Sequence, residues 1–256
     1  MPLLKLKRVC KTFGGLVAVR SLDMSICEHE FVGLIGPNGA GKTTVFSLIS
    51  GFHRITKGEI LFRGEHIGKL RHHEVVQKGI ARTFQSTVIF RKMSVVDNVI
   101  LGSHLYGGLN SVCSLLPSSL IGKRMVTITR RGAELLSLAG LEGKSNAYAE
   151  DLCHREQKVL QIVIAMASGP KLLLLDEPVA GMNPEEVGKT MRFINKLREF
   201  GVAILLIEHN MKAVMDHCER IIVLNYGSKI AEGPPGDVRR DENVIKAYLG
   251  GSDTNA

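Results

Sequence analysis

With 256 residues, 45% of them hydrophobic and 23% charged, the chain can bury a large α/β core without disulfides, which excludes a disordered chain. Its net charge of +8 comes with no long basic run, no aromatic–basic repeat and no Trp, which favours a solvated surface or phosphate ligands over nucleic acid. The five cysteines (Cys10, Cys27, Cys113, Cys153, Cys218) are odd in number and form no CxxC pair, so the sequence predicts reduced thiols and neither a disulfide framework nor a zinc site.

At the amino end, residues 1–8 lack the apolar core of a signal peptide. No later stretch approaches the roughly 18 apolar residues that crossing a bilayer requires, so the chain alone is expected to carry nothing across a membrane. Residues 3–28 alternate apolar and polar side chains around Gly14-Gly15 and predict an antiparallel strand pair. Residues 31–35 predict a short buried strand running into a glycine-rich loop, and 43–49 predict a helix closed by Gly51. From about 87 to 167 helical periodicity prevails, interrupted by a weakly patterned surface excursion at 107–122. Gly169-Pro170 stops the last of these helices, because proline cannot continue it. The α/β pattern then resumes with a buried strand at 171–175 and a helix at 185–200 that puts Val187, Met191, Ile194 and Leu197 on one face. A buried strand at 202–207 follows, then a hairpin of 221–224 with 229–231 around Asn225-Tyr226-Gly227-Ser228. Residues 250–256 read as a frayed tail.

Gly36-Pro37-Asn38-Gly39-Ala40-Gly41-Lys42-Thr43-Thr44 fits the phosphate-loop pattern GxxxxGK[ST] at every fixed position. Its glycines let backbone N–H groups turn inward onto phosphate oxygens, and the helix that follows adds its positive end. Lys42 is expected at the β- and γ-phosphates, and Thr43 offers a hydroxyl to Mg²⁺. The competing explanation, a chance glycine turn, is countered by the strand before the loop and the helix after it. In Leu172-Leu173-Leu174-Leu175-Asp176-Glu177-Pro178 two carboxylates end a buried strand, where open α/β sheets place their ligands. Asp176 is expected to bind Mg²⁺ through water and Glu177 to polarise the attacking water as general base. Without the loop these would be ordinary acidic residues at a strand end. His209, closing Leu206-Ile207-Glu208-His209, holds the matching position on the next strand and is expected at the γ-phosphate. Phe13 suits stacking on a base, although a core phenylalanine is the commoner explanation for such a residue. Gln85, in Arg82-Thr83-Phe84-Gln85, means nothing by itself.

Taken in order and spacing, the loop, Gln85, Asp176-Glu177 and His209 resemble the ABC transporter ATPases, and the resemblance runs over residues 3–250. Finer segments resemble the LivG-type ATPases of branched-chain amino acid importers. They are Phe13-Gly14-Gly15-Leu16-Val17-Ala18-Val19, Gly79-Ile80-Ala81-Arg82-Thr83-Phe84-Gln85, Leu206-Ile207-Glu208-His209-Asn210-Met211 and Val244-Ile245-Lys246-Ala247-Tyr248-Leu249-Gly250. The excursion at about 103–130 also resembles that subfamily.

The resemblance implies a single ABC ATPase domain over 1–256, of α/β P-loop type. Its catalytic core would be 1–85 with 169–250 and include an N-terminal antiparallel β subdomain, its helical subdomain 86–168 and its tail 251–256. It implies ATP and Mg²⁺, with Phe13 on the adenine and Gln85 sensing the γ-phosphate beside the metal set of Thr43 and Asp176. Ala180-Gly181-Met182-Asn183 would contact the partner ATPase. Implied partners are a second ATPase subunit, in a hetero- or homodimer that sandwiches two ATP head to tail, two membrane permeases and, indirectly, a periplasmic binding protein. The expected location is peripheral, on the cytoplasmic face of the inner membrane. Val88, Ile89, Phe90 and Met93 are expected to help form a groove for a permease helix. Three rivals stand beside this reading. One is a lipopolysaccharide-export ATPase, which shares the Tyr248-Leu249-Gly250 ending. Another is a soluble ABC protein of translation or DNA repair, and the third is an ATP-binding switch with weak hydrolysis.

One departure motivates the switch. The family's signature LSGGQ is here Leu152-Cys153-His154-Arg155-Glu156-Gln157. Cys153 replaces a serine, and thiols are weaker donors than hydroxyls. Arg155 replaces the glycine nearest the phosphate of the opposite subunit, where backbone must approach closely. Ile164 stands where the family usually has arginine.

Overall fold

The computed structural model describes residues 2–84, 89–106 and 118–249. The amino-terminal strands β1 (Leu4–Phe13) and β2 (Leu16–Ile26) form the expected hairpin, with Phe13 opposite Leu16 across Gly14-Gly15. β1 also pairs antiparallel with β4 (Lys57–Phe62), which pairs with β5 (Glu65–His66), so one sheet runs β2-β1-β4-β5.

The second sheet is built from β3 (Phe31–Ile35), β6 (Ile80–Arg82), β7 (Leu172–Asp176), β8 (Ala203–Ile207), β9 (Arg220–Asn225) and β10 (Ser228–Gly233). Among the described residues its order is β10-β9-β3-β8-β7-β6. All pairs are parallel except β9–β10. This parallel arrangement needs helical crossovers, and α1 (Lys42–Ile49), α6 (Pro184–Lys196) and α7 (Met211–His217) supply them.

Alternation along the strands sends side chains into two cores. Phe31, Ile35, Leu173, Leu175, Ile204, Leu206 and Val223 face one side, packed with Met191, Ile194 and Leu197. Val32, Leu34, Leu172, Leu174, Leu205 and Leu224 face the other, against Phe46 and Ile49 of α1 and the β1–β4 sheet. These strands are covered on both faces, which is why they read as continuous apolar runs. Truncating one such residue, Leu173→Ala, would cost about 2–5 kcal/mol.

The expected helix at 185–200 is α6 followed by a 3-10 turn, Leu197–Phe200. Asn183 caps it: its side chain accepts from Glu186 N (3.0 Å), while Glu186 accepts from Asn183 N (3.0 Å). Between β6 and β7 lie α3 (Val95–Tyr106), α4 (Ser118–Leu138) and α5 (His154–Ala167), whose Val95, Val99, Leu135, Leu136, Val159 and Val163 join the first core. The excursion expected at 107–122 is partly corrected. Residues 118–122 belong to α4, and 107–117 lie outside the described residues, as does the tail at 250–256. α2 (His72–Gln77), α8 (Pro235–Val238) and α9 (Glu242–Leu249) complete the chain.

Candidate functional site

The carboxyl ends of β3, β7 and β8 point to one edge of the parallel sheet, and the glycine loop closes over it. Gly36 has φ +151°, and a Cβ there would lie 2.1 Å from Leu224 O, so only glycine fits. Gly41 has φ +100°, and its Cβ would meet Ala18 O at 2.6 Å. The loop is held from outside by the β9–β10 turn. Gly227 N donates to Ala40 O (3.0 Å), and Arg20 N donates to Gly227 O (2.8 Å).

Lys42, the first residue of α1, is buried and turns its ammonium back onto the loop, donating to Gly36 O (2.7 Å) and Pro37 O (3.0 Å). Burial lowers its pKa, and the carboxylates of Glu177 and Asp176 act in the opposite direction. A cleft of about 600 Å³ opens on the loop and is lined by Phe13, Asn38 through Thr44, Glu177 and His209. Thr43 is exposed there. Glu177 takes φ +49°, a left-handed conformation that costs a non-glycine residue energy and is found at functional sites. Its Oε1 lies 3.1 Å from His209 Nε2. Phe13 meets the ring of His53 edge-on at 5.1 Å, with Lys11 Nζ 4.6 Å from its centroid.

Asp176 is buried, and its Oδ2 accepts from Arg82 Nη2 at 2.9 Å, both side chains being only 6% exposed. The guanidinium also reaches Ser47 and Ser50 hydroxyls and sits 5.4–5.9 Å from the ring centroids of Phe46, Phe52 and Phe84. Arg82 Nε is buried without a hydrogen-bond partner. The sequence reading assigned Arg82 no role, although an arginine inside a short strand between Ala81 and Thr83 is a signal, since buried arginine is nearly always paired.

Glu208 was missed likewise. It is 4% exposed, and its carboxylate accepts from Val179 N (3.0 Å), His209 N (2.9 Å) and Asn210 N (3.2 Å). One buried carboxylate thus holds together the turn after Glu177 and the segment carrying His209.

Residues 152–157 do not line this cleft. Cys153 is the exposed N-cap of α5, where its N–H donates to Glu156 Oε2 (3.1 Å). Lys144 grips both oxygens of Glu156 at 2.6 and 2.7 Å, and Gln157 Nε2 donates to Leu152 O (3.0 Å). Arg155 Nε is buried without a hydrogen-bond partner. His154 borders Gly181, where a Cβ would stand 3.3 Å from its Cε1.

Gln85 and Val88 lie outside the described residues. Phe84, just before Gln85, accepts from Gln161 Nε2 of α5 (3.1 Å). Ile89 packs on the first core and Phe90 is exposed, its backbone latched at N and O by buried Asn98.

Comparison with known proteins agrees with this geometry. A family model described as ABC transporter matches residues 19–180, and one described as branched-chain amino acid ATP-binding cassette transporter matches 228–254. The chain is 39% identical over 250 residues to the high-affinity branched-chain amino acid transport ATP-binding protein LivG of Escherichia coli (strain K12) and 38% to BraF of Pseudomonas aeruginosa. Both alignments cover 97% of this chain and 98% of the relative. It is 32% identical to the lipopolysaccharide export system ATP-binding protein LptB of Haemophilus influenzae, covering 98% of each. Among solved structures, a nucleotide-free ATP-binding cassette from an ABC transporter matches with TM-score 0.83 at 26% identity, covering 97% of this chain and 99% of that one. A cassette in its ADP conformation matches with TM-score 0.85 at 27% identity, covering 98% and 99%.

Proposed function

The chain belongs to the ABC transporter ATP-binding proteins, and from that premise we propose that it is the ATP-hydrolysing subunit of an importer of branched-chain amino acids. The observation that carries the reading is the convergence of Lys42, Glu177 and His209 on one cleft beneath the glycine loop. The carboxy-terminal family match and the lower identity of the lipopolysaccharide-export relative favour import over export.

In this reading Lys42 exchanges the carbonyls of Gly36 and Pro37 for phosphate oxygens, a stronger charge-assisted contact. Phe13 packs on the base. The Thr43 hydroxyl, and the Asp176 carboxylate through water, would hold Mg²⁺, which would neutralise phosphate charge. Mg²⁺ keeps several waters and substrate phosphates as ligands, so one hydroxyl and one carboxylate from the protein fit it. Glu177 takes a proton from the attacking water. The water oxygen bonds to the γ-phosphorus, the bond to the β–γ bridging oxygen breaks, and ADP departs with that oxygen. His209, 3.1 Å from Glu177, would contact the γ-phosphate, and Gln85 is proposed to report the phosphate to the helical part. No described helix is long and apolar enough to cross a membrane. In this reading membrane permeases supply the path. A second ATPase subunit faces this one across two ATP.

Glu177→Gln keeps the side chain's shape and removes the base. We expect nucleotide affinity to persist and turnover to fall about 10²–10⁴-fold. Phosphate release within threefold of wild type would show that another group is the base.

A further inference from the structure

The cleft has a second wall that the reading above leaves unused. Tyr226 and Gly227 form the two-residue turn of the β9–β10 hairpin, with Asn225 paired to Ser228. Their φ values are +45° and +78°, so both central residues are left-handed, the pattern of a type I′ turn. Asn, Asp or Gly adopt the first position easily, and a tyrosine there is strained. Tyr226 is buried little by the protein in return, being 78% exposed. An aromatic side chain kept in an unfavourable backbone conformation without being buried points to a contact outside the chain.

Its placement is fixed with respect to the loop. Gly227 is bonded to Ala40 and to Arg20, and a Cβ on it would lie 2.7 Å from Ala18 O, so the turn is clamped between β2 and the phosphate loop. Tyr226 and Arg20 both line the cleft that holds Lys42, Glu177 and Phe13. Arg20 is exposed and has no carboxylate partner among the described residues. The cleft thus carries an aromatic face and an uncommitted cation beside the loop. Phe13, the other aromatic, already has Lys11 over its ring.

We propose that Tyr226 packs against the nucleoside of the bound nucleotide and that Arg20 contributes a cation to its phosphates, making the β9–β10 turn a specificity element of the site. The proposal rests on the reading of the cleft as a nucleotide site. The test is calorimetric titration of the full chain with ADP and with pyrophosphate, which shares the phosphates and lacks the nucleoside. Tyr226→Ala should weaken ADP roughly tenfold, as expected for loss of one base–aromatic contact, and leave pyrophosphate unchanged. Tyr226→Asn should weaken ADP as much while raising the melting temperature of the nucleotide-free chain, because asparagine relieves the turn. Arg20→Gln should weaken both ligands several-fold, and the loss should shrink as salt rises. ADP binding within twofold of wild type in both Tyr226 variants overturns the proposal, as does an equal loss for ADP and pyrophosphate, which would mean only a disturbed loop. If Arg20→Gln binds both ligands as wild type does, the cation's part fails. If the wild-type chain binds neither ligand, the nucleotide reading itself falls, and the proposal with it.

Discussion

Replacing Arg82 with methionine removes the cation that faces Asp176 at 2.9 Å, with both side chains 6% exposed. Methionine retains an apolar stem, and its sulfur can keep contact with the rings of Phe46, Phe52 and Phe84. What is lost is the charge, together with the hydrogen bonds to Ser47 and Ser50, and a buried ion stripped of its partner costs about 3–5 kcal/mol. In a chain of this length that corresponds to a melting temperature lower by about 6–20 °C. Asp176→Asn leaves Arg82 buried against a neutral amide and should cost a comparable amount. The double variant Arg82→Met, Asp176→Asn carries no stranded charge, and replacing both members of a buried pair is often near neutral. It should therefore be more stable than either single variant, with a coupling energy of about 2 kcal/mol or more. The assay is urea unfolding of all four proteins at one pH. If Arg82→Met loses less than about 1 kcal/mol, or if the double variant loses the sum of the two singles, the pair does not hold this edge of the sheet together.

Two further outcomes follow from buried and half-buried groups. Glu208→Gln offers one acceptor oxygen where three backbone N–H groups converge and turns an amide N–H toward them. We expect a stability loss of about 1–3 kcal/mol and a slower kcat with nearly unchanged nucleotide affinity, measured by denaturation and steady-state phosphate release. A change in affinity alone would contradict a positioning role. For pH, burial holds His72 below its ordinary value near 6.5, and His217 likewise. Above that value both folded and unfolded states carry neutral rings, and below it the unfolded chain takes the proton first, so stability declines as pH falls from about 6.5. Melting temperatures at pH 7.5 and 5.5 should converge in His72→Gln relative to wild type, and an unchanged slope would count against His72 as a source.

The parts legible in sequence are those whose partners are near in the chain or whose spacing is rigid. Gly36 to Thr44 needs only a strand, a tight loop and a helix, all within 20 residues. The apolar runs at 172–175 and 203–207 are unmistakable because the sheet is covered on both faces. β4 was not foreseen, since its pairing partner β1 lies some 50 residues earlier and its exposed Lys57, Gly58 and Glu59 break the alternation. β6 has three residues, too few for a periodic signal, yet it delivers Arg82 to Asp176, 94 positions away. Glu208 was passed over because a glutamate beside a histidine reads as surface. Only the fold reveals that the turn after β7 brings Val179 N onto it.

Residues 152–157 depart from the family pattern in side chains that sit on an ordinary helix start. The amino end of α5 is intact: Cys153 is the N-cap, Glu156 accepts from its N–H, and Lys144 braces Glu156. The departure from the family pattern therefore changes side chains, not the backbone path, and reverting it should not unfold the chain. Serine is the better cap, while glycine at position 155 weakens the first turn of α5, so little net change in stability is expected. In a head-to-tail pair with a different ATPase, this chain's loop would face the partner's signature, and Cys153-His154-Arg155 would face the partner's ATP. Arg155 adds a cation in the first turn of α5, a charge the helix dipole disfavours but a facing phosphate attracts, which can tighten ATP binding. A bulky side chain where backbone N–H groups should meet the γ-phosphate does not help the transition state, and only interactions stronger there accelerate the reaction. We expect one competent and one slow site per heterodimer. Silencing the competent site with Glu177→Gln leaves the slow one visible. In that background Cys153→Ser, His154→Tyr and Arg155→Gly together restore a hydroxyl and a backbone N–H to a charged acceptor. Such a donor contributes about 1.5–3 kcal/mol, so residual phosphate release should rise about 10- to 100-fold. If the restored heterodimer is no faster, while its melting temperature and ATP affinity match the unrestored one, the three residues are silent and the slow-site reasoning fails.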